Sequence, residues 1–173
     1  MLAIEFFRTA TKTLHGRMTD ALQGLTAEQL HFRPLGRGNS LAFIIWHYVR
    51  TEDDAVNSSL RKRSSLWNAE GWDKKLGMDP KSQGTGMTSE QAGAVRIADL
   101  GEFTKYMREV FQASEAYLES TPAEEMDGMI EHSIIGKVTR GQAFGRLIIS
   151  HGSAHLGEIW YVKGLQGLKG SPV

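Results

Sequence analysis

The sequence predicts an all-α fold, a bundle of four principal helices, and three observations indicate it. Apolar residues recur every three or four positions through four long stretches of the chain. Thr26 and Thr88 each begin a Thr-x-x-Gln capping box, a start signal for a helix. A glycine-rich segment separates the second long stretch from the third. We therefore expect one helical-bundle domain over residues 1–173, with a long crossover between helices 2 and 3.

The first half of the chain is expected to hold two of the long helices. The first spans residues 4–25, and a short helical turn follows from the capping box at residue 26 until Pro34, which cannot continue it. Ser40 is a suitable N-cap for the second long helix, residues 41–62. His47 shares the periodic positions of this helix with apolar residues, so we expect its side chain to point toward the core.

The second half begins with a long connection. Residues 66–87 contain several glycines, one proline and two tryptophans, which predicts an irregular segment partly pinned by its tryptophans. A short helix begins at Thr88 and a long one spans residues 97–118. Residues 131–138 have some β character. A hairpin with its turn at Gly136-Lys137 is one interpretation, and an extended loop is the one we favour. Thr139 caps the final helix, residues 142–164.

Composition excludes several classes of function. Twenty basic and twenty acidic residues cancel, so no overall charge attracts nucleic acid or an anionic membrane. The longest apolar run, residues 41–46, is too short to span a bilayer, and the N-terminus lacks signal-peptide features, so we expect a cytoplasmic protein. The chain has no cysteine. Disulfides, thiolate metal sites and a cysteine nucleophile are therefore excluded.

The most informative motif is the pair His151 and His155. Residues four apart on an α-helix leave the same face, so the two imidazoles form half of a chelate for a transition metal. The alternative is that one or both are partly buried histidines bonded to nearby carbonyls. Gly152 and Gly157 each cost roughly 1 kcal/mol in a helix relative to alanine. Either an open substrate cavity or tight helix packing would account for them.

His47 is the best candidate for a third ligand. Three imidazoles on a divalent ion leave a coordination position open for water or substrate, as in catalytic zinc sites. The alternative is a core histidine with an ordinary hydrogen-bond partner. Glu158 lies near the face of His151 and His155 and is the candidate catalytic residue. It would orient a ligand imidazole, accept a proton, or pair with a nearby cation.

The other titratable residues lack this spacing. His15, His31 and His132 are interpreted as incidental, and Asp54 as part of a solvated face. The pattern His-x-x-x-His-x-x-Glu also differs from the zincin motif, because Gly152 stands where that motif has its glutamate. The general base of a metalloprotease is therefore missing, and peptidase chemistry is not expected.

Several blocks of the chain, taken in order, resemble the DinB-like (YfiT-like) metal-dependent proteins. The blocks are residues 25–30 followed by Arg33-Pro34, residues 39–42 leading into Trp46-His47 and Glu52, and residues 151–159. The resemblance implies a four-helix bundle with up-down-down-up connectivity, commonly assembled as a homodimer. It also implies a site for nickel, zinc or a similar divalent ion on His47, His151 and His155.

The resemblance suggests a reaction less firmly than it suggests the site. Related members include transferases and an isomerase that use low-molecular-weight thiols such as bacillithiol or mycothiol. The leading hypothesis is thus a metal-dependent enzyme that transfers an external thiol to a small electrophile, with hydrolysis by an activated water as the other reaction. A non-catalytic, stress-related metal-binding protein is the alternative from another class, and a structural bundle without metal is the third.

Overall fold

The computed structural model describes residues 3–171, and these are mostly helical, as the sequence predicts. Two of the long helices adjoin a π-helical segment. Asp54–Leu60 follows the second long helix, and Gly145–Ser150 precedes the last one. The helices are α1 (Ala3–Leu22), α2 (Ala27–His31), α3 (Leu41–Asp53), α4 (Leu66–Ala69), α5 (Trp72–Leu76), α6 (Ser89–Ala94), α7 (Leu100–Ser120), α8 (Arg140–Phe144) and α9 (His151–Leu165). Short 3-10 turns lie at Pro34–Gly36 and Ala123–Asp127.

Local capping fixes where several helices begin. α2, α6 and α8 each start with a complete capping box, in which Thr26, Thr88 and Thr139 exchange hydrogen bonds with the glutamine three residues later. Ser40 accepts a backbone hydrogen bond at the start of α3. α1 ends three residues earlier than predicted, and Gly24 in the turn after it has a φ of +70°.

The predicted extended loop at residues 131–138 is wrong. Strands β1 (Met129–His132) and β2 (Gly136–Thr139) form an antiparallel hairpin, so the fold contains one small sheet beside its helices. Gly136 pairs with His132, which places the turn one to three residues earlier than Gly136-Lys137. Ile130 and Val138 face each other across the hairpin and are both buried against the helices.

The crossover between α3 and α7 is pinned by its tryptophans, as the sequence predicts, although it also contains the short helices α4, α5 and α6. Trp67 is fully buried against Tyr106 of α7. The Asp53 carboxylate at the end of α3 accepts hydrogen bonds from the Trp67 backbone N–H and the Tyr106 hydroxyl, both at 2.9 Å. Trp72 donates its indole N–H to Glu109 at 2.7 Å.

The four long helices are α1, α3, α7 and α9. α1 and α3 each pack against both α7 and α9. Arg8, near the start of α1, donates to the Leu118 carbonyl near the end of α7 at 2.8 Å. Lys163, near the end of α9, donates to the Ala21 carbonyl near the end of α1, also at 2.8 Å. Two apolar clusters fill the space between the helices. In the described part of the chain, no helix combines the length and the apolarity that crossing a membrane requires.

Candidate metal centre

Three histidines from two distant parts of the sequence converge in the folded chain. His47 lies on α3, and His151 and His155 lie on the first turns of α9. One ring nitrogen from each lies within 4.8 Å of the other two, and all three side chains are half-buried. Among residues 3–171 this is the group of side chains placed to hold a metal ion. The predicted convergence of His47 with the C-terminal pair is thus confirmed.

The close approach of α9 to α3 depends on Gly152. A Cβ atom at this position would lie 2.6 Å from both Tyr48 Cε2 and Leu14 Cδ2, well inside ordinary contact distance. Tyr48 follows His47 in α3 and is fully buried. Of the two predicted reasons for Gly152, tight packing is therefore the one that applies. Gly157, one turn later, has open space around it instead.

The pair on α9 has the separation that one ion needs. His151 Nε2 and His155 Nε2 are 2.9 Å apart. Two nitrogens that each lie about 2 Å from one ion are separated by roughly 2.8 to 3.4 Å, for angles between a right angle and the tetrahedral value. His155 Nδ1 donates to the Glu158 carboxylate at 2.7 Å, which fixes the tautomer with a free lone pair on Nε2. The same distance also fits an N–H···N hydrogen bond between the rings.

His47 is oriented by the crossover segment. Its Nδ1 donates to the Gln83 carbonyl at 2.6 Å, which leaves the Nε2 lone pair free for a ligand. Gly84 follows with a φ of +93°, and a Cβ there would lie 3.0 Å from His47 Nδ1. Gln83 and Gly84 were not predicted as site residues from the sequence. The closely spaced Gly84 and Gly86 are the signal that could have indicated a close approach of backbone.

Burial favours the neutral form of two of these imidazoles, those of His151 and His47. Burial, together with the neighbouring His155 and His47, lowers the pKa of His151 to about 4. The nearby Leu147 carbonyl raises the pKa of His151 and so opposes this shift. His151 Nδ1 nevertheless forms no hydrogen bond of ordinary geometry with a described residue. Burial also lowers the pKa of His47, against the effect of its bond to Gln83. Neutral imidazoles are the form that binds a metal ion.

Glu158 takes one of the roles considered for it. Its bond to His155 is the main cause that lowers the pKa of the Glu158 carboxyl, although burial opposes this. It forms no ion pair with Arg146 or Lys163 within the described chain. A carboxylate with a lowered pKa is a weak proton acceptor, so the contact favours the orientation of His155 over general-base chemistry.

The histidines lie in an open pocket of about 480 Å³. This size is within the range of small-molecule sites. Its walls come from α3, from the crossover, from the tip of the hairpin and from the start of α9 with the π-helical segment before it. The residues that line it are Asn39, Phe43, His47, Thr51, Gly84, Thr85, Gly86, Ile134, Ile135, Arg146, Leu147, His151 and His155. An ion on the three imidazoles would therefore be reachable by a small ligand.

The remaining titratable residues of the sequence analysis lie outside this cluster. His31 Nδ1 bonds to the Ala27 carbonyl and its Nε2 accepts the Ile97 N–H, so it joins α2 to the segment before α7. His132 Nδ1 accepts the Ile134 N–H in the hairpin turn. These two histidines have local structural roles.

Asp54 and His15 are more buried than we expected from the sequence. Asp54 is half-buried and pairs with Arg50 at 3.5 Å, so it does not form part of a solvated face. His15 is buried between Glu52 at 2.9 Å and Glu115 at 2.8 Å. Burial lowers the pKa of His15, but the two carboxylates outweigh it and raise that pKa overall. His15 is thus a structural histidine of the core.

Comparison with known proteins identifies the family. The model of the DinB superfamily matches residues 10–159. The fold is similar to a crystal structure described as the conserved protein of locus from Enterococcus faecalis, with a TM-score of 0.83, 21% identity, and coverage of 95% of this chain and 97% of that one. At this identity the similarity concerns the fold alone. No curated protein matches the chain. The protein belongs to the DinB superfamily.

Proposed function

We propose that the protein is a metal-dependent enzyme in which His47, His151 and His155 hold one divalent ion. One observation carries the proposal: three imidazole ring nitrogens lie within 4.8 Å of one another beside a pocket of about 480 Å³. A purely structural cluster would need no such access for small molecules. Imidazole ligands suit nickel and zinc, the two ions that we favour.

The proposed reaction is the transfer of a low-molecular-weight thiol to a small electrophile. A divalent ion held by the three histidines would lower the pKa of a bound thiol or water. Because the chain has no cysteine, the sulfur has to come from a separate molecule. In the transfer, sulfur forms a bond to carbon, the leaving group departs with the electrons of its bond, and the thiol proton passes to solvent. Hydrolysis of a small substrate is the second reaction open to this arrangement.

The chain's own groups would act by position. Glu158 holds the ring of His155, and the Gln83 carbonyl holds the ring of His47, so both Nε2 atoms are presented in fixed orientations. Such pre-orientation reduces the entropy that would be lost when an ion binds. We assign Glu158 a positioning role for this reason.

The helix contacts support up-down-down-up connectivity. Lys163 and Ala21 join the ends of α9 and α1, which indicates that these two helices run in the same direction. Arg140, at the start of α8, donates to the Leu60 carbonyl at the end of the segment that extends α3, so α3 runs opposite to α9. The bond from Arg8 to the end of α7 indicates that α7 runs opposite to α1. A cytoplasmic homodimer is the assembly that we propose from the family.

The test is metal content and turnover of protein prepared without an affinity tag. We expect about one divalent ion per chain in the wild type and background content in His47→Ala and His155→Ala. His31→Ala is the matched control, since it removes a histidine outside the cluster. Background metal content in the wild type after incubation with nickel and zinc would contradict the site. Tight metal binding without turnover, across panels of thiols, electrophiles and esters, would favour the non-catalytic alternative.

A further inference from the structure

We infer that Arg146 makes this pocket selective for a small organic molecule that carries a carboxylate or a similar oxyanion. The inference rests on the proposed function, because it concerns the ligand that would share the pocket with the metal. A ligand of this class has one end that reaches the ion, an apolar middle and an anionic group.

Arg146 reaches the pocket because of the π-helical segment Gly145–Ser150. Five residues of regular α-helix would turn residue 146 about 140° away from residue 151. Here the backbone N–H of His151 instead bonds to the carbonyl of Arg146, five residues earlier, which is the bond of a π-helix. Residues five apart then lie toward the same side of the helix, as residues four apart do in an α-helix. Arg146 and His151 consequently both line the same pocket.

The charge of Arg146 is not compensated within the described chain. None of the residues that line the pocket is acidic, and the guanidinium of Arg146 forms no hydrogen bond or ion pair with residues 3–171. Arg140 on the same stretch of chain is different, because it donates to the Leu60 carbonyl at 3.0 Å. A divalent ion on the three imidazoles would add further positive charge. An anionic ligand is therefore the complement that this pocket lacks.

Polar and apolar groups divide the pocket walls. Leu147 and Ile135 are partly exposed there, and Ile134 at the hairpin turn is 60% exposed. The hydroxyl of Thr51, which is also on the wall, is buried without a hydrogen-bond partner in the described chain. A fully charged or sugar-like ligand would leave the apolar wall unused. A short aliphatic chain that ends in an anion uses both parts.

The test compares two thiols that differ only in their far end, 6-mercaptohexanoate and 6-mercaptohexanol. Each is titrated into cobalt-loaded protein at low ionic strength, and the thiolate-to-metal absorption band reports binding independently of activity. We expect the carboxylate to bind about fivefold more tightly than the alcohol, since Arg146 is exposed and a surface ion pair is worth no more than this. Arg146→Gln should abolish the preference while the affinity for the alcohol stays within about twofold.

Two further variants make the result specific. Arg146→Lys keeps the charge and should keep most of the preference. Arg108→Gln removes an exposed arginine of α7 that does not line the pocket, and it should leave the preference intact. Cobalt retained by each variant verifies its folding.

The outcomes separate the inference from the proposed function. Equal affinity of the wild type for both thiols, or a preference that survives in Arg146→Gln, would overturn the inference and leave the metal site standing. If the protein binds no cobalt, or if neither thiol produces the band, the proposed thiol transfer fails and this inference fails with it.

Discussion

Two glycines of the same helix are expected to respond in opposite directions to the same substitution. In Gly152→Ala the new methyl group would lie 2.6 Å from both Tyr48 Cε2 and Leu14 Cδ2, about 1 Å closer than carbon atoms normally approach. Tyr48 is fully buried and Leu14 is 5% exposed, so neither can move aside freely. Overpacking of this kind costs about 3 kcal/mol. Alanine returns about 1 kcal/mol through its helix propensity. The net destabilisation is therefore about 2 kcal/mol.

Gly157→Ala is the matched control. It lies in the interior of α9, and a Cβ there meets no atom within 4 Å, so only the gain in helix propensity remains. The measurement is thermal unfolding of metal-free protein, followed by circular dichroism in the presence of a chelator. We expect the melting temperature to fall by about 4 to 8 °C in Gly152→Ala and to rise by about 2 to 4 °C in Gly157→Ala. A shift of both variants in the same direction would refute the steric reasoning.

Three further predictions concern the site and the core. Gly84→Ala should weaken metal binding about tenfold, because its Cβ would lie 3.0 Å from His47 Nδ1 at a φ of +93° that alanine rarely adopts. Glu158→Gln should lower metal affinity by about 10-fold or more, since His155 loses its carboxylate partner; competition with a chromophoric chelator measures both effects. The pKa of His15 is raised in the folded state, so the wild type should be more stable than His15→Gln. This stability difference should be fully present below pH 6.5 and should be lost as pH rises through the folded-state pKa.

Gly84→Ala has a matched control, and each prediction has an outcome that would contradict it. Gly86→Ala also has a positive φ, +78°, but open space around its Cβ, so it should strain the backbone and spare metal affinity. Equal losses of affinity in Gly84→Ala and Gly86→Ala would contradict a direct contact with His47. Metal affinity unchanged in Glu158→Gln would remove its positioning role. A wild-type advantage over His15→Gln that grows between pH 6 and 9 in urea unfolding would reverse the sign argued for His15.

Local features of this protein were predictable from the sequence. The spacing of His151 and His155 places both rings on one helix face, whatever else the chain does, because helix geometry relates residues four apart. The capping boxes at Thr26 and Thr88 fix the starts of two helices through hydrogen bonds that span only three residues. The helical class and the family resemblance follow from signals of the same short range, and the family is confirmed.

Long-range features were decided by tertiary packing alone. The hairpin was not the favoured interpretation because its strands have four residues each, and its stability comes from the burial of Ile130 and Val138 against distant helices. The bond from the Gln83 carbonyl to His47 joins residues that no local pattern connects. The π-helical turn that brings Arg146 to the pocket depends on how the chain before α9 packs.

The sequence by itself determined that two imidazoles share one face of one helix and that a third histidine lies in another helix. Only the tertiary structure decided that the third reaches the first two. The distance between α3 and α9 is set by side chains in contact, above all by the missing Cβ of Gly152 against Tyr48. Periodicity reports which face of a helix is apolar, but it carries no information on which partner that face meets or how closely.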